Sequence, residues 1–124
     1  MEERDPLTNA VIGAAIEVHR EMGPGLLESV YQSCLECELR SRGIDCSPLH
    51  RLPLVYKGVV LKDEFVIDLY FPDRLVVELK SVEKLIGVFE AQLLTYMKLT
   101  KTHVGLLLNF NVPVLRDGIK RMVL

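Results

Sequence analysis

The sequence predicts an α/β domain, a mixed central sheet flanked by helices. Three observations point there. Two stretches of helical spacing open the chain, and a third follows a block of strand-like runs. That block alternates with period two between short turn signals. After the third helix comes an almost wholly apolar run, residues 103–110, of the kind buried on both faces of a sheet. A chain of 124 residues suits one domain, read over 1–124, because domains commonly run to about 100–150 residues. With 49% hydrophobic residues it can fill a core without disulfides, and an intrinsically disordered chain is excluded.

Thr8 or Asn9 is the expected cap of a first helix that runs to Glu21, with Val11, Ile12, Ala15 and Val18 along one side. Gly23-Pro24-Gly25 breaks it. A second helix over residues 26–42 sets Leu27, Val30, Tyr31, Cys34 and Leu35 on its apolar side and stops at Gly43. Residues 44–47 and 52–56 read as extended, Lys57-Gly58 as a turn and residues 59–62 as a strand. Two stronger strands, 64–71 and 75–81, flank the turn Pro72-Asp73-Arg74. The third helix covers residues 87–101, with Phe89, Leu93, Tyr96, Met97 and Thr100 on one side. Residues 118–124 are expected as an edge strand.

Charge narrows the function. Fifteen Lys and Arg against 17 Asp and Glu give a net charge of −2, which excludes a bulk nucleic-acid coat. Phosphate binding would have to be local or metal-mediated. No apolar run approaches the roughly 18 residues of a membrane span, so no membrane partner is expected. The start, Met1 to Pro6, is polar and unlike a secretory leader, and the three cysteines are an odd number. A reducing cytoplasm is the expected location.

The chemistry centres on Asp68 and Glu78-Leu79-Lys80. In a strand, residues two apart share a face, so Glu78 and Lys80 point together and Leu79 into the core. A three-residue loop at 72–74 pairs Phe71 with Leu75 and sets Asp68 opposite Glu78, whereas a one-residue slip would reverse its facing. Two facing carboxylates repel unless a cation or proton joins them. A hard ion such as Mg²⁺ suits two carboxylates, keeping waters in its other positions. With Lys80 to orient or deprotonate a bound water, that is a site for hydrolysing a phosphodiester. A salt-bridged group on an exposed sheet face has the same spacing.

Asp68…Glu78-x-Lys80, followed by a helix and a buried strand, resembles the core of the PD-(D/E)XK nuclease superfamily. Gly25-Leu26-Leu27-Glu28-Ser29-Val30-Tyr31 resembles the signature of its GxxExxY protein family. Ala14-Ala15-Ile16-Glu17-Val18-His19, Gly23-Pro24-Gly25, Tyr56-Lys57-Gly58, Ala91-Gln92-Leu93-Leu94-Thr95-Tyr96, Gly105-Leu106-Leu107-Leu108-Asn109-Phe110 and Gly118-Ile119-Lys120-Arg121 match it as well. The resemblance implies a restriction-endonuclease-like αβββαβ core and a metal-dependent nuclease. By it, Asp68 and Glu78 are metal ligands for Mg²⁺ (or Mn²⁺), Lys80 is the catalytic lysine, and Glu28 is a further acidic group at the site. Gln92 and Tyr96, four apart on one helix face, resemble the QxxxY element of RecB-like nucleases and would contact the substrate strand. Val66 stands where relatives often carry arginine two positions before the aspartate, and Ile67 where the superfamily's name has proline.

The expected function is therefore hydrolysis of phosphodiester bonds in DNA, or less readily RNA, with a homodimer left open. The alternative from another class is a catalytically silent binding or assembly module of the same fold. His19, among apolar helix positions, is expected to be a half-buried histidine near the site. Cys34-x-x-Cys37 with Cys46 and His50 has zinc-like spacing, but the pair lies mid-helix and outside the family's motifs.

Overall fold

The computed structural model describes residues 5–124; the polar start, Met1 to Arg4, lies outside the described residues. Helix α1 (Pro6–Met22) begins earlier than expected. Its cap is Asp5, whose Oδ1 accepts the Leu7 N–H at 3.2 Å, with Pro6 in the first turn. The fixed φ of proline pre-sets that turn, and Thr8 is buried instead of capping. Helix α2 (Glu28–Ser41) begins two residues later than expected, because residues 23–27 form a separate strap. Tyr31 fastens that strap: its hydroxyl donates to the Gly23 carbonyl at 2.6 Å and accepts the Leu26 N–H at 3.2 Å.

Five strands form one sheet in the order β1-β2-β3-β4-β5. They are β1 (Ser47–Tyr56), β2 (Val59–Phe71), β3 (Leu75–Lys80), β4 (Val104–Asn109) and β5 (Ile119–Val123). Only β3 and β4 run parallel, joined through α3 (Gly87–Thr100), and a single 3₁₀ turn precedes β5. The sheet is thus mixed and flanked by three helices.

Two strands are longer than the sequence suggests. Residues 59–62 and 64–71 are one strand, and 47–56 is continuous, because the ladder runs on through the polar Lys62-Asp63-Glu64 into an exposed arm. No core face lies under the arm, so side-chain pattern carries no register there. Its tip is a two-residue turn with Lys57 and Gly58 both at positive φ, 50° and 81°.

The core has two layers. Leu69, Phe71, Leu75, Val77 and Leu79 pack under α1 and α2, with Leu106, Leu108 and Phe110 beside them. On the other face Ile67, Val76 and Leu107 pack under α3. That helix lies so close to β4 that a Cβ at Gly105 would meet the Met97 sulfur at 2.6 Å. The tight seat fixes which α3 side chains reach the end of β3.

Candidate active site

The turn at 72–74 gives the expected register: Phe71 faces Leu75, Tyr70 faces Val76 and Leu69 faces Val77. The ladder between β2 and β3 then stops. At the next position the strands fork, and carboxylates take over the backbone groups left without a partner. The Asp68 N–H donates to Glu78 Oε1 at 3.0 Å, and the Leu79 N–H donates to Asp68 Oδ2 at 2.8 Å. β3 stays paired with β4 throughout, Glu78 facing Leu107 and Lys80 facing Asn109.

The fork has a cause in β1. Phe65 and Ile67 pack with α3, but Leu69 and Phe71 pack with α1 and α2, so β2 reverses its facing across Asp68. The β1 residue between those paired to Leu69 and Ile67 is Leu49, which has φ of 47° and is half-exposed. A left-handed leucine costs of order 1–3 kcal/mol, and such outliers concentrate at functional sites. Nothing in the sequence beyond the preceding Pro48 signals it.

Asp68 and Glu78 are close together and poorly solvated. Burial pushes the Glu78 carboxyl up to about 8, with the Asp68 charge adding to the rise, against lowering by the Asp68 N–H and by Lys80. Asp68 is also raised, first by burial and last by Glu28, while the Leu79 N–H and Glu78 pull it down. The physical picture is one proton held on Glu78 and shared toward Asp68.

Lys80 turns to α3. Its ammonium donates to Gln92 Oε1 at 3.4 Å and lies 4.8 Å from the centre of the Phe89 ring. Gln92 Nε2 donates to the Tyr96 hydroxyl at 3.3 Å. Gln92 is exposed, whereas the Tyr96 ring is buried edge-on against Phe65, leaving its hydroxyl as the group on the Gln92 side. Burial and the Glu78 and Asp68 charges push the Tyr96 hydroxyl up. Lys80, Gln92 and Tyr96 therefore form one chain of contacts from β3 into α3.

Glu28 opens α2 and is exposed across a cleft of about 260 Å³ that Gln32, Glu36, Leu49 and Asp68 also line. The residue that ties this helix to the fork is Gln32, which the sequence reading passed over. Its amide donates to the Asp68 carbonyl and to Glu36 Oε2, both at 2.8 Å. A glutamine next to Tyr31, within the apolar stripe of α2, was the available signal.

Among the described residues, no three His, Cys, Asp or Glu side chains gather as a closed metal cage. Two adjacent carboxylates, both raised chiefly by burial, nevertheless fit an ion like Mg²⁺, which is commonly held by one or two carboxylates and waters. The zinc-like set is divided: Cys34 and Cys37 line a groove with Glu17 and Glu21, Cys46 lines another, and His50 Nδ1 bonds the Ser47 hydroxyl at 2.9 Å. His19 Nε2 meets the Val112 carbonyl at 2.8 Å, so that nitrogen carries the proton.

A family model for the PD-(D/E)XK nuclease superfamily matches residues 5–122. The chain belongs to that superfamily. No curated protein and no solved structure matches it. The αβββαβ core of this PD-(D/E)XK chain is α2, β1, β2, β3, α3 and β4, with α1 and β5 added at the two ends. No helix among the described residues is long and apolar enough to cross a membrane.

Proposed function

We propose that this chain is a metal-dependent nuclease of the GxxExxY type that hydrolyses phosphodiester bonds of DNA in the cytoplasm, with residues 1–124 as one domain. The observation that carries the reading is the forked pair of half-buried Asp68 and buried Glu78, with Glu78 raised to about 8. Such a pair favours a cation over its own proton, and nucleases of this superfamily generally use divalent ions. Asp68 and Glu78 would hold Mg²⁺ or Mn²⁺. When bound, such an ion polarises a phosphoryl oxygen and acidifies water.

The protein's own groups supply the rest. Lys80 Nζ orients the attacking water and offsets the charge that develops on the phosphate. Gln92 holds that ammonium in place, with the Tyr96 hydroxyl fixing the Gln92 amide. Gln92, being exposed, also has room to hydrogen-bond the substrate strand. Glu28 adds a carboxylate at the mouth of the cleft, where it orders water toward Asp68.

A silent binding module draws support from one observation, that both carboxylates already accept backbone N–H groups. Cleavage of single-stranded, double-stranded and branched DNA, with Mg²⁺ or Mn²⁺ and with EDTA, tests the two. Metal-dependent hydrolysis lost in Asp68→Ala supports the nuclease. No cleavage of any substrate, with no metal binding by calorimetry, would leave the module.

A further inference from the structure

A cavity of about 460 Å³, larger than the cleft beside Asp68, opens where α1 ends and β4 gives way to its following loop. His19, Arg20, Pro24, Pro113, Val114 and Arg116 are among its walls. The chemistry there is divided. Arg20 pairs with Glu17 at 3.4 Å while 74% of its side chain stays exposed. Arg116 makes no ion pair among the described residues. Pro24 and Pro113 bring stiff apolar rings, and Val114 a half-exposed apolar side chain. Cations beside stiff apolar surface match the two halves of a nucleotide, its phosphate and its base.

Two short segments lead from the cavity to the candidate active site. The strap from Gly23 to Leu27 runs from Pro24 in the cavity to Glu28 at the cleft, and the Ser81 hydroxyl beside Lys80 donates to the Leu26 carbonyl at 2.5 Å. On the other side the Phe110 N–H donates to the Lys80 carbonyl at 2.9 Å, three residues before Pro113. β3 and β4 are parallel neighbours, about 4.8 Å apart, so their ends open the same way. The bond from His19 to the Val112 carbonyl, with Tyr31 on Gly23, ties α1, the strap and the loop after β4 together and so fixes the spacing of the walls before any ligand arrives.

Resting on the nuclease reading, we propose that this cavity is a nucleotide subsite. It takes one unstacked nucleotide beside the bond to be cut, its phosphate between Arg20 and Arg116 and its base against Pro24, Pro113 and Val114. A base enters such a concavity after leaving the stack, so the subsite directs the protein to single-stranded stretches rather than intact duplex. The net charge of −2 fits this, since the chain as a whole exerts no electrostatic pull on a duplex.

The test is anisotropy of a labelled single-stranded oligonucleotide in EDTA, where nothing is cut, against a blunt duplex of the same sequence. Arg20→Ala and Arg116→Ala are compared with the parent and with Arg40→Ala, an exposed arginine outside this cavity. Each cavity variant should weaken single-strand binding about three- to tenfold and make its salt dependence shallower by about 0.7 per arginine, with duplex binding and Arg40→Ala little changed. With Mg²⁺ or Mn²⁺, the cavity variants should raise KM for single-stranded substrate and leave kcat near the parent's. Parental affinity in both variants, equal losses on duplex and single strand, or a parent that binds no nucleic acid would each overturn the subsite. A parent that binds as described yet cuts nothing with either metal keeps the subsite and ends the nuclease reading; metal-dependent cutting with unchanged KM in both variants does the reverse.

Discussion

The two halves of β3 share one backbone and do opposite things. Its first half, Leu75-Val76-Val77, is wholly apolar and buried, paired throughout to β2 and, from Val76, to β4 as well. Its second half, Glu78-Leu79-Lys80, keeps β4 but has lost β2, and carboxylates stand where ladder partners would be. A sheet that stayed closed here would be more stable and inert. Opening it creates amide donors that only acceptor side chains can satisfy, and burying two acids to do so concentrates negative charge. This site is made by interrupting pairing, with the apolar half supplying the rigidity that the interrupted half lacks.

The largest expected contrast is in activity. Asp68→Ala should lose metal binding and cleavage together. Lys80→Ala should retain metal binding by calorimetry while cleavage falls by about 10²–10³-fold, the usual loss of one group that stabilises developing charge. Lys80→Ala cleaving like the parent on every DNA form would remove the role given to that lysine. Lys80→Ala should not move the unfolding midpoint downward by much, because Lys80 fills no core, whereas Asp68→Ala strands the Leu79 N–H now bonded at 2.8 Å and should cost about 1–3 kcal/mol.

Leu75→Ala asks the opposite question of the other half. Leu75 is fully buried under α1 and α2, and truncation there should cost about 2–5 kcal/mol in denaturant unfolding. Folded molecules of that variant should still bind metal at the parent's affinity. Loss of metal affinity in the remaining folded fraction would show that the fork depends on fine packing of the apolar half.

Much of this contrast is legible in the sequence. The loop Pro72-Asp73-Arg74 sets the register, and alternation along Glu78-Leu79-Lys80 separates the core-facing leucine from its neighbours. Asp68 beside Glu78 follows from counting alone. The reversal of facing at Asp68 does not, because it depends on one left-handed residue, Leu49, in a different strand. The merged strand β2 was hidden for a related reason: residues 59–64 are exposed, so their polar run resembles a break although the ladder continues. Gln92 and Tyr96 were readable as a pair on one helix face. That the tyrosine ring belongs to the core and the glutamine grips Lys80 rests on how closely α3 sits over Gly105.

Acidity sharpens the comparison further. Without metal, the Glu78 carboxyl titrates near 8 in the fold against an ordinary 4.5. Between those values the folded chain binds one more proton than the unfolded chain, so stability should fall as pH rises from about 4.5 to 8 and level off above. The slope is at most about 1.4 kcal/mol per pH unit for one group. Asp68, raised in the same direction, adds to the fall. Urea unfolding in EDTA across this range measures it. Stability rising through the window would mean that Lys80 governs the pair as a salt bridge.

The smallest effect separates a ligand from a structural acid. Glu78→Gln keeps the shape of the side chain, and its amide oxygen can still accept the Asp68 N–H now bonded at 3.0 Å. Its NH₂ can donate to Asp68, a bond the parent makes only while Glu78 holds a proton. At neutral pH the folded parent must take up a proton at Glu78 that the unfolded chain has released, a cost the uncharged glutamine does not carry, so the metal-free variant should be more stable than the parent. The expected gain is about 0.5–2 kcal/mol, part of the relief being offset by the desolvated amide. The gain should vanish below about pH 4.5, where the parent carboxyl is protonated in both states. Millimolar Mg²⁺ or Mn²⁺ should raise the parent's unfolding midpoint by mass action and the variant's much less. A variant less stable than the parent in EDTA, or a parent indifferent to metal, would make Glu78 a brace for the forked strands and not a ligand.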